Sequence, residues 1–261
     1  MEYTIPLMAD LLQQNKKPEY LFWVGCAGAF DQRYRKVTQA FAKILIHLGT
    51  DFGCLGAEET CTGDPARRAG NEMLYQMQAL QVIETLKAYD VKKIIAICPH
   101  CFNIFKNEYP DLGGNYEVIH YTQFLRDALD NGKLKISSDV FSGKNVTFHD
   151  PCYLGRANDE YEAPRAILKN TCTQITELPR NKSFALCCGA GGAQMFKETE
   201  AGDSEVFAER TREVVESKAD IVATSCPFCM TMFTDGIKFI DKQDEIKNLD
   251  IAEIVAQALK L

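Results

Sequence analysis

A set of cysteines that recurs constrains this chain most. Cys26 and Cys152 stand 126 residues apart, as do Cys61 and Cys187, and Gly63 and Gly189. Cys98 and Cys226 stand 128 apart, as do Cys101 and Cys229. Agreement at so many positions of a rare residue marks an internal duplication. Whatever the chain folds into, it must build from one plan twice.

The apolar pattern gives that plan. In the first copy, Leu21-Phe22-Trp23-Val24 reads as a buried strand. Val37, Phe41, Ile44, Leu45 and Leu48 have helical spacing, which predicts a helix over 34–48 stopped by Gly49. A second strand over 52–55, one long helix over 68–88 and a third strand over 93–97 follow. A short helix toward Glu108, a strand over 116–121 and a helix capped by Thr122 complete it. The second copy begins with the strand Val146-Thr147-Phe148-His149. A helix over 164–169, a strand over 174–178, a helix over 205–217 and the strand Ile221-Val222-Ala223-Thr224 come next, with a terminal amphipathic helix over 251–259.

This alternation predicts an α/β protein made of two pseudo-symmetric Rossmann-like subdomains with parallel sheets. The polar stretch over 131–144 reads as the junction. The expected organisation is a polar leader over 1–19 with a short helix from Pro6, a first subdomain over 20–135 and a second over 143–261. Ligands of open parallel sheets collect outside the carboxyl ends of the strands. Each cysteine group follows a predicted strand, so the cysteine clusters are expected at those ends.

Eleven cysteines in 261 residues are many for a chain whose start carries Glu2 and Asp10 and no basic secretory signal. Cytosolic disulfides are uncommon and the number is odd, so metal or redox chemistry is the expectation. The formal charge of -7 argues against nucleic acid as a ligand. The longest apolar runs, such as Ile94-Ile95-Ala96-Ile97, are strand-sized, so no membrane span is expected. The expected location is cytoplasmic, reaching the inner face of a membrane only through a partner.

The chemistry centres on Leu186-Cys187-Cys188-Gly189-Ala190-Gly191-Gly192. Adjacent residues of an extended segment point to opposite sides, so packing on one face uses only one of two neighbouring thiols. Two soft ligands from one flexible backbone suit a site that grasps more than one metal atom. The second copy offers Cys152, Cys187, Cys188, Cys226 and Cys229. The first offers Cys26, Cys61, Cys98 and Cys101, with Thr62 in the place of Cys188. Thiolates select iron–sulfur clusters, zinc and copper(I), and four suit either a zinc ion or a four-iron cluster. Five are too many for one zinc, which favours a polynuclear iron site in the second copy. Gly189-Ala190-Gly191-Gly192-Ala193-Gln194 matches a dinucleotide fingerprint poorly, because Gln194 stands where the last glycine belongs.

Other residues carry two readings. His149 is either a hydrogen-bonded strand-end histidine or a proton donor beside the second cluster, and it is the one candidate catalytic group. His100 reads as a solvent-facing loop histidine, the alternative being a residue that tunes a cluster's potential or replaces a missing ligand. Arg67, Arg68 and Arg156 are either surface pairs or counter-charges to a cluster. Met73 and Met77 read as core, and so do Cys54 and Cys172.

His149-Asp150-Pro151-Cys152, Cys187-Cys188-Gly189-Ala190-Gly191-Gly192 and Cys226-Pro227-Phe228-Cys229 resemble the duplicated cysteine-rich CCG domain of the B-type and D-type components of heterodisulfide reductase. The resemblance extends to iron–sulfur subunits of lactate utilisation and of anaerobic glycerol-3-phosphate dehydrogenase. Membrane-bound oxidoreductases linking electron-transfer flavoprotein to quinone are similar too. It implies an iron–sulfur oxidoreductase subunit whose non-cubane [4Fe-4S] cluster is held by Cys152, Cys187, Cys188, Cys226 and Cys229. With Thr62 in place of a cysteine, Cys26, Cys61, Cys98 and Cys101 are expected to hold a second, ordinary [4Fe-4S] cluster, a zinc ion or nothing. The chain lacks a ferredoxin-type Cys-x-x-Cys-x-x-Cys run, so a separate ferredoxin-type iron–sulfur partner, soluble or membrane-bound, is expected. A heterodisulfide (thiol–disulfide) reductase and a zinc-binding structural or assembly subunit are the alternative readings.

Overall fold

The computed structural model describes residues 4–136, 138–198 and 201–261. Residues 1–3 of the expected leader and Ser137 of the expected junction lie outside them. The chain divides into two compact units, Met1–Phe124 and Leu125–Leu261.

The first unit runs α1 (Met8–Gln13), β1 (Tyr20–Trp23), α2 (Gly25–Phe30), α3 (Tyr34–His47), β2 (Phe52–Gly53), α4 (Asp64–Arg68), α5 (Glu72–Ala88), β3 (Lys93–Ala96), α6 (Pro99–Asn103) and β4 (Glu117–His120), and α7 (Tyr121–Asp130) crosses its boundary. Its four strands are all parallel, in the order β2-β1-β3-β4. Leu21, Phe22 and Trp23 on β1 and Ile94, Ile95 and Ala96 on β3 are buried, because helices cover both faces of the sheet. The chain moves from β1 to β2 in one direction and from β3 to β4 in the other. The crevice between the ends of β1 and β3 is therefore a topological switch point.

The second unit repeats this plan with β5 (Asn145–Phe148), α8 (Glu162–Thr171), β6 (Gln174–Ile175), α9 (Val206–Glu216), β7 (Ile221–Thr224), α10 (Pro227–Phe239), β8 (Lys247–Asp250) and α11 (Ile251–Ala258). The order is β6-β5-β7-β8, again all parallel. Phe22 sits beside Ile95 on the first sheet and Phe148 beside Ala223 on the second, so the register repeats too. The expected α/β fold with two similar parallel-sheet subdomains is what forms.

Several local expectations differ. The long helix over 68–88 is two helices. Gly70 has a φ of +84° and Asn71 caps α5 by accepting the Leu74 amide at 3.1 Å, so the chain turns between them. Thr122 does not cap α7. The Gln123 side chain accepts the His120 amide instead, at 3.0 Å. The leader is stitched to the sheet edge, since the Cys54 amide donates to Pro6 and the Met8 amide donates to Cys54, both at 2.9 Å. Met73 and Met77 are not core: they are 75% and 61% exposed, and α5 buries Tyr75, Ala79, Val82 and Leu86. His100 does not face solvent, being only 7% exposed. Neither α10 nor β8 was expected, and β8 is a short edge strand, Lys247-Asn248-Leu249-Asp250, whose polar residues carry no strand signal.

Candidate metal centres

In the second unit the five motif cysteines arrive on three loops. The loop after β5 brings Cys152. Residues after β6 bring Cys187 and Cys188, followed by Gly189 at a φ of +95°, a left-handed conformation that favours glycine. Cys226 caps α10 in extended conformation, Pro227 starts the helix, and Cys229 lies one turn in.

Their side chains converge. Cys188 Sγ meets Cys229 Sγ at 3.2 Å, Cys187 interacts electrostatically with Cys152 and Cys188, and Cys229 with Cys226. A ring nitrogen of His149 and the sulfurs of Cys188 and Cys229 all lie within 4.8 Å of one another. Cys188, Cys226 and Cys229 are buried, and Met195, Phe228 and Met232 pack against them.

The first unit gathers its cysteines in the same way. Cys26 interacts electrostatically with Cys61, and Cys98 with Cys101. The Thr62 hydroxyl stands 3.9 Å from Cys101 Sγ, where the other unit has the Cys188–Cys229 contact. Gly63 takes the left-handed conformation of Gly189, with a φ of +89°. Each glycine donates its amide to the cysteine two residues earlier, at 3.4 Å to Cys61 and 3.3 Å to Cys187. A cavity of about 570 Å³ opens beside Cys26 and Cys61, walled by Ile5, Leu7, Phe30 and Ala57 with Arg35 at its edge.

The donor chemistry suits a cationic guest. Hydrogen bonding from Cys26, helped by the Gly63 amide and opposed by burial, brings the Cys61 thiol down to about 6. Hydrogen bonds from Cys152 and Cys188, again against burial, hold Cys187 well below the usual thiol range. Neighbouring thiols and burial push Cys26, Cys152, Cys188 and Cys229 up. One thiolate in each group is therefore favourable, while Cys26, Cys101, Cys152, Cys188 and Cys229 ionise more readily against a positive charge. A thiophilic metal centre supplies that charge. Both groups fit such a centre.

The loops are braced by buried charge that the sequence reading did not single out. Arg165, 4% exposed, grips Asp150 at 2.7 and 2.9 Å and Glu177 at 2.7 and 2.8 Å. Asp150 also accepts the Lys182 amide at 2.8 Å. This clamp anchors the turn that carries Cys152. In the first unit Glu59 takes its place, accepting the Val24 and Gly25 amides at 3.0 and 2.5 Å, and burial raises its carboxyl to about 7. Arg210 is fully buried on α9, one turn before the buried Val214, and donates through Nε to His149 Nδ1 at 3.2 Å. An arginine in the apolar phase of a helix was the signal available for it.

The remaining candidates are structural in their contacts. Arg67 pairs with Glu108 at 2.8 Å, and Arg68 with Glu108 at 2.5 Å and Asp64 at 3.2 Å. Arg156 donates to the Ala185 carbonyl at 3.0 Å, tying the Cys152 turn to the segment before Cys187. His100 Nδ1 lies 3.7 Å from Cys98 Sγ. Burial and the Arg210 charge hold His149 well below the usual imidazole range, hence neutral. Cys54 and Cys172 are both buried, and Cys54 lines the same cavity as Cys26 and Cys61.

Comparison with known proteins agrees with this geometry. The cysteine-rich CCG domain matches the chain twice, over residues 20–106 and 146–234. The EtfAB:quinone oxidoreductase of Syntrophomonas wolfei is 43% identical over 97% of this chain and 36% of its own length. The probable iron-sulfur-binding oxidoreductase FadF of Bacillus subtilis is 41% identical over 98% of this chain and 36% of its own. The D-type component of the dihydromethanophenazine:CoB–CoM heterodisulfide reductase of Methanosarcina barkeri is 34% identical over 94% of this chain and 60% of its own. The chain thus spans little more than a third of the first two relatives. It belongs to the cysteine-rich CCG domain family and carries that domain twice.

Proposed function

We propose that this chain is an iron–sulfur oxidoreductase subunit or region whose second unit holds a non-cubane [4Fe-4S] cluster. Cys152, Cys187, Cys188, Cys226 and Cys229 are its ligands. The observation that carries this reading is the convergence of those five thiols around the Cys188–Cys229 contact. Cys26, Cys61, Cys98 and Cys101 hold a second metal centre, either another [4Fe-4S] cluster or a zinc ion.

A bound cluster supplies one-electron chemistry. The protein's own part is to bind, orient and exclude water. Burial of Cys188, Cys226 and Cys229 and the apolar packing of Met195, Phe228 and Met232 keep solvent from one side of the site. The Asp150–Arg165–Glu177 clamp fixes the turn bearing Cys152. The subdomains are assigned to 20–135 and 143–261.

A ferredoxin-type iron–sulfur partner exchanges electrons with the second unit. The names of the relatives support this, among them a probable membrane-anchored ferredoxin of Chromohalobacter salexigens, 36% identical over 98% of this chain. No helix among the described residues is long and apolar enough to cross a membrane.

Metal and sulfide analysis after anaerobic purification tests the reading. The expected outcome is about four irons with matching sulfide for the second unit. One or two zinc ions with no iron would replace it with a structural role. Cys188→Ala is expected to abolish or convert the cluster's paramagnetic spectrum, and an unchanged spectrum would remove Cys188 from the ligand set.

A further inference from the structure

We propose that each sulfur site receives one ring N–H hydrogen bond from the same repeat position, Trp23 Nε1 in the first unit and His149 Nε2 in the second, with Arg210 fixing His149 as the donor. This rests on the reading that both cysteine groups hold metal.

Trp23 and His149 each stand three residues before the first cysteine of their motif, Cys26 and Cys152. Both rings are 1% exposed. Among the described residues the Trp23 indole nitrogen has no hydrogen-bond partner. A buried donor left unpaired costs about 1–3 kcal/mol, so such a donor marks an acceptor that belongs there. Gly25 shows where. A Cβ at Gly25 would stand 3.9 Å from Trp23 Nε1 and 3.4 Å from Cys101 Sγ. The indole N–H and the Cys101 sulfur therefore border one gap, which glycine keeps open.

The second unit reaches the same arrangement with different atoms. His149 lies against Cys188 and Cys229, and Cys229 is the counterpart of Cys101. Arg210 Nε donates to His149 Nδ1 at 3.2 Å. A guanidinium is always protonated, so Nδ1 is the acceptor and the imidazole proton sits on Nε2. A metal-bound Nε2 would need its lone pair and a proton on Nδ1. The Arg210 contact excludes that tautomer, which makes His149 a hydrogen-bond donor to sulfur and not a ligand. Arg210 is itself held by the Arg180 carbonyl at 2.8 Å and by the Glu213 carboxylate. Hydrogen bonds to cluster sulfurs favour the more negative, reduced state and raise the reduction potential. Trp23, His149 and Arg210 are positioning and tuning residues in this scheme.

The test uses the intact protein with its metals exchanged for the spin-half isotope of cadmium. The chain contains one tryptophan, so its indole proton gives one magnetic-resonance signal. That proton should move downfield on metal loading, exchange slowly and couple to cadmium across the hydrogen bond. An indole proton unchanged by loading overturns the Trp23 assignment. Cadmium analysis then separates a filled first site, where only this inference fails, from an empty one, where the reading beneath it fails as well. Nitrogen-labelled His149 should show a protonated Nε2 and a bare Nδ1, and Arg210→Met should populate both tautomers. Direct coupling of Nε2 to cadmium, or no response to Arg210→Met in a folded variant, overturns the His149 assignment. In the iron-loaded protein, His149→Phe should lower the second centre's reduced-to-oxidised ratio at fixed potential about tenfold, roughly 59 mV for one electron. His149→Gln, which keeps an N–H donor, should restore most of it. Equal potentials in wild type and His149→Phe would also overturn the proposal.

Discussion

The two sulfur sites differ most at one side chain. Thr62 and Cys188 occupy equivalent places, and each faces the second cysteine of its Cys-Pro-x-Cys turn. Thr62→Cys should therefore give the first unit five thiols in the arrangement of the second. The expected outcome is a higher iron content and a second copy of the unusual paramagnetic signal, measured on anaerobically reconstituted protein. Gly63 and Gly189 separate backbone strain from crowding. Both have left-handed φ angles, so an alanine at either should cost about 1–2 kcal/mol. A Cβ at Gly63 would also stand 2.8 Å from the Tyr75 ring, whereas at Gly189 the nearest atom is 3.4 Å away. Urea unfolding should find Gly63→Ala the more destabilising of the two.

Among the elements, the turn bearing Cys152 depends on α8 and on the segment after β6 through Arg165. Removing one partner of a buried ion pair strands the other, at about 3–5 kcal/mol. Arg165→Met should lose stability on that scale in urea titration and should retain less metal in the second unit. Which elements were legible follows from their surroundings. Parallel strands covered on both faces read as continuous apolar runs, so β1, β3, β5 and β7 stood out. The edge strand β8 lacks that run. The break between α4 and α5 was hidden because the helical pattern continues across Gly70 and Asn71. Met73 and Met77 were misassigned because α5 is apolar on two faces, and periodicity does not say which face the sheet covers.

For the molecule as a whole, the two cysteine groups draw together loops that are far apart in sequence. A ligand that binds only the folded state stabilises it by mass action, about 4 kcal/mol at a thousandfold excess over the dissociation constant. Removing metal under reducing conditions should lower the thermal midpoint, and reconstitution should restore it, as followed by calorimetry. A midpoint indifferent to metal would show that the thiols pack without needing a guest.

The sequence by itself determined the candidate donor set, the duplication and the strand–helix alternation that delivers the cysteines to strand ends. These are local or periodic properties, written in residue type and spacing. Only the tertiary structure decided what surrounds the sulfurs. Arg210 reaches His149 across 61 residues, Arg165 clamps Asp150 and Glu177 together, and Trp23 shares a gap with Cys101. Such meetings depend on how helices pack onto a sheet. That packing is fixed by the combined burial of many side chains, and no spacing within the chain encodes it pair by pair.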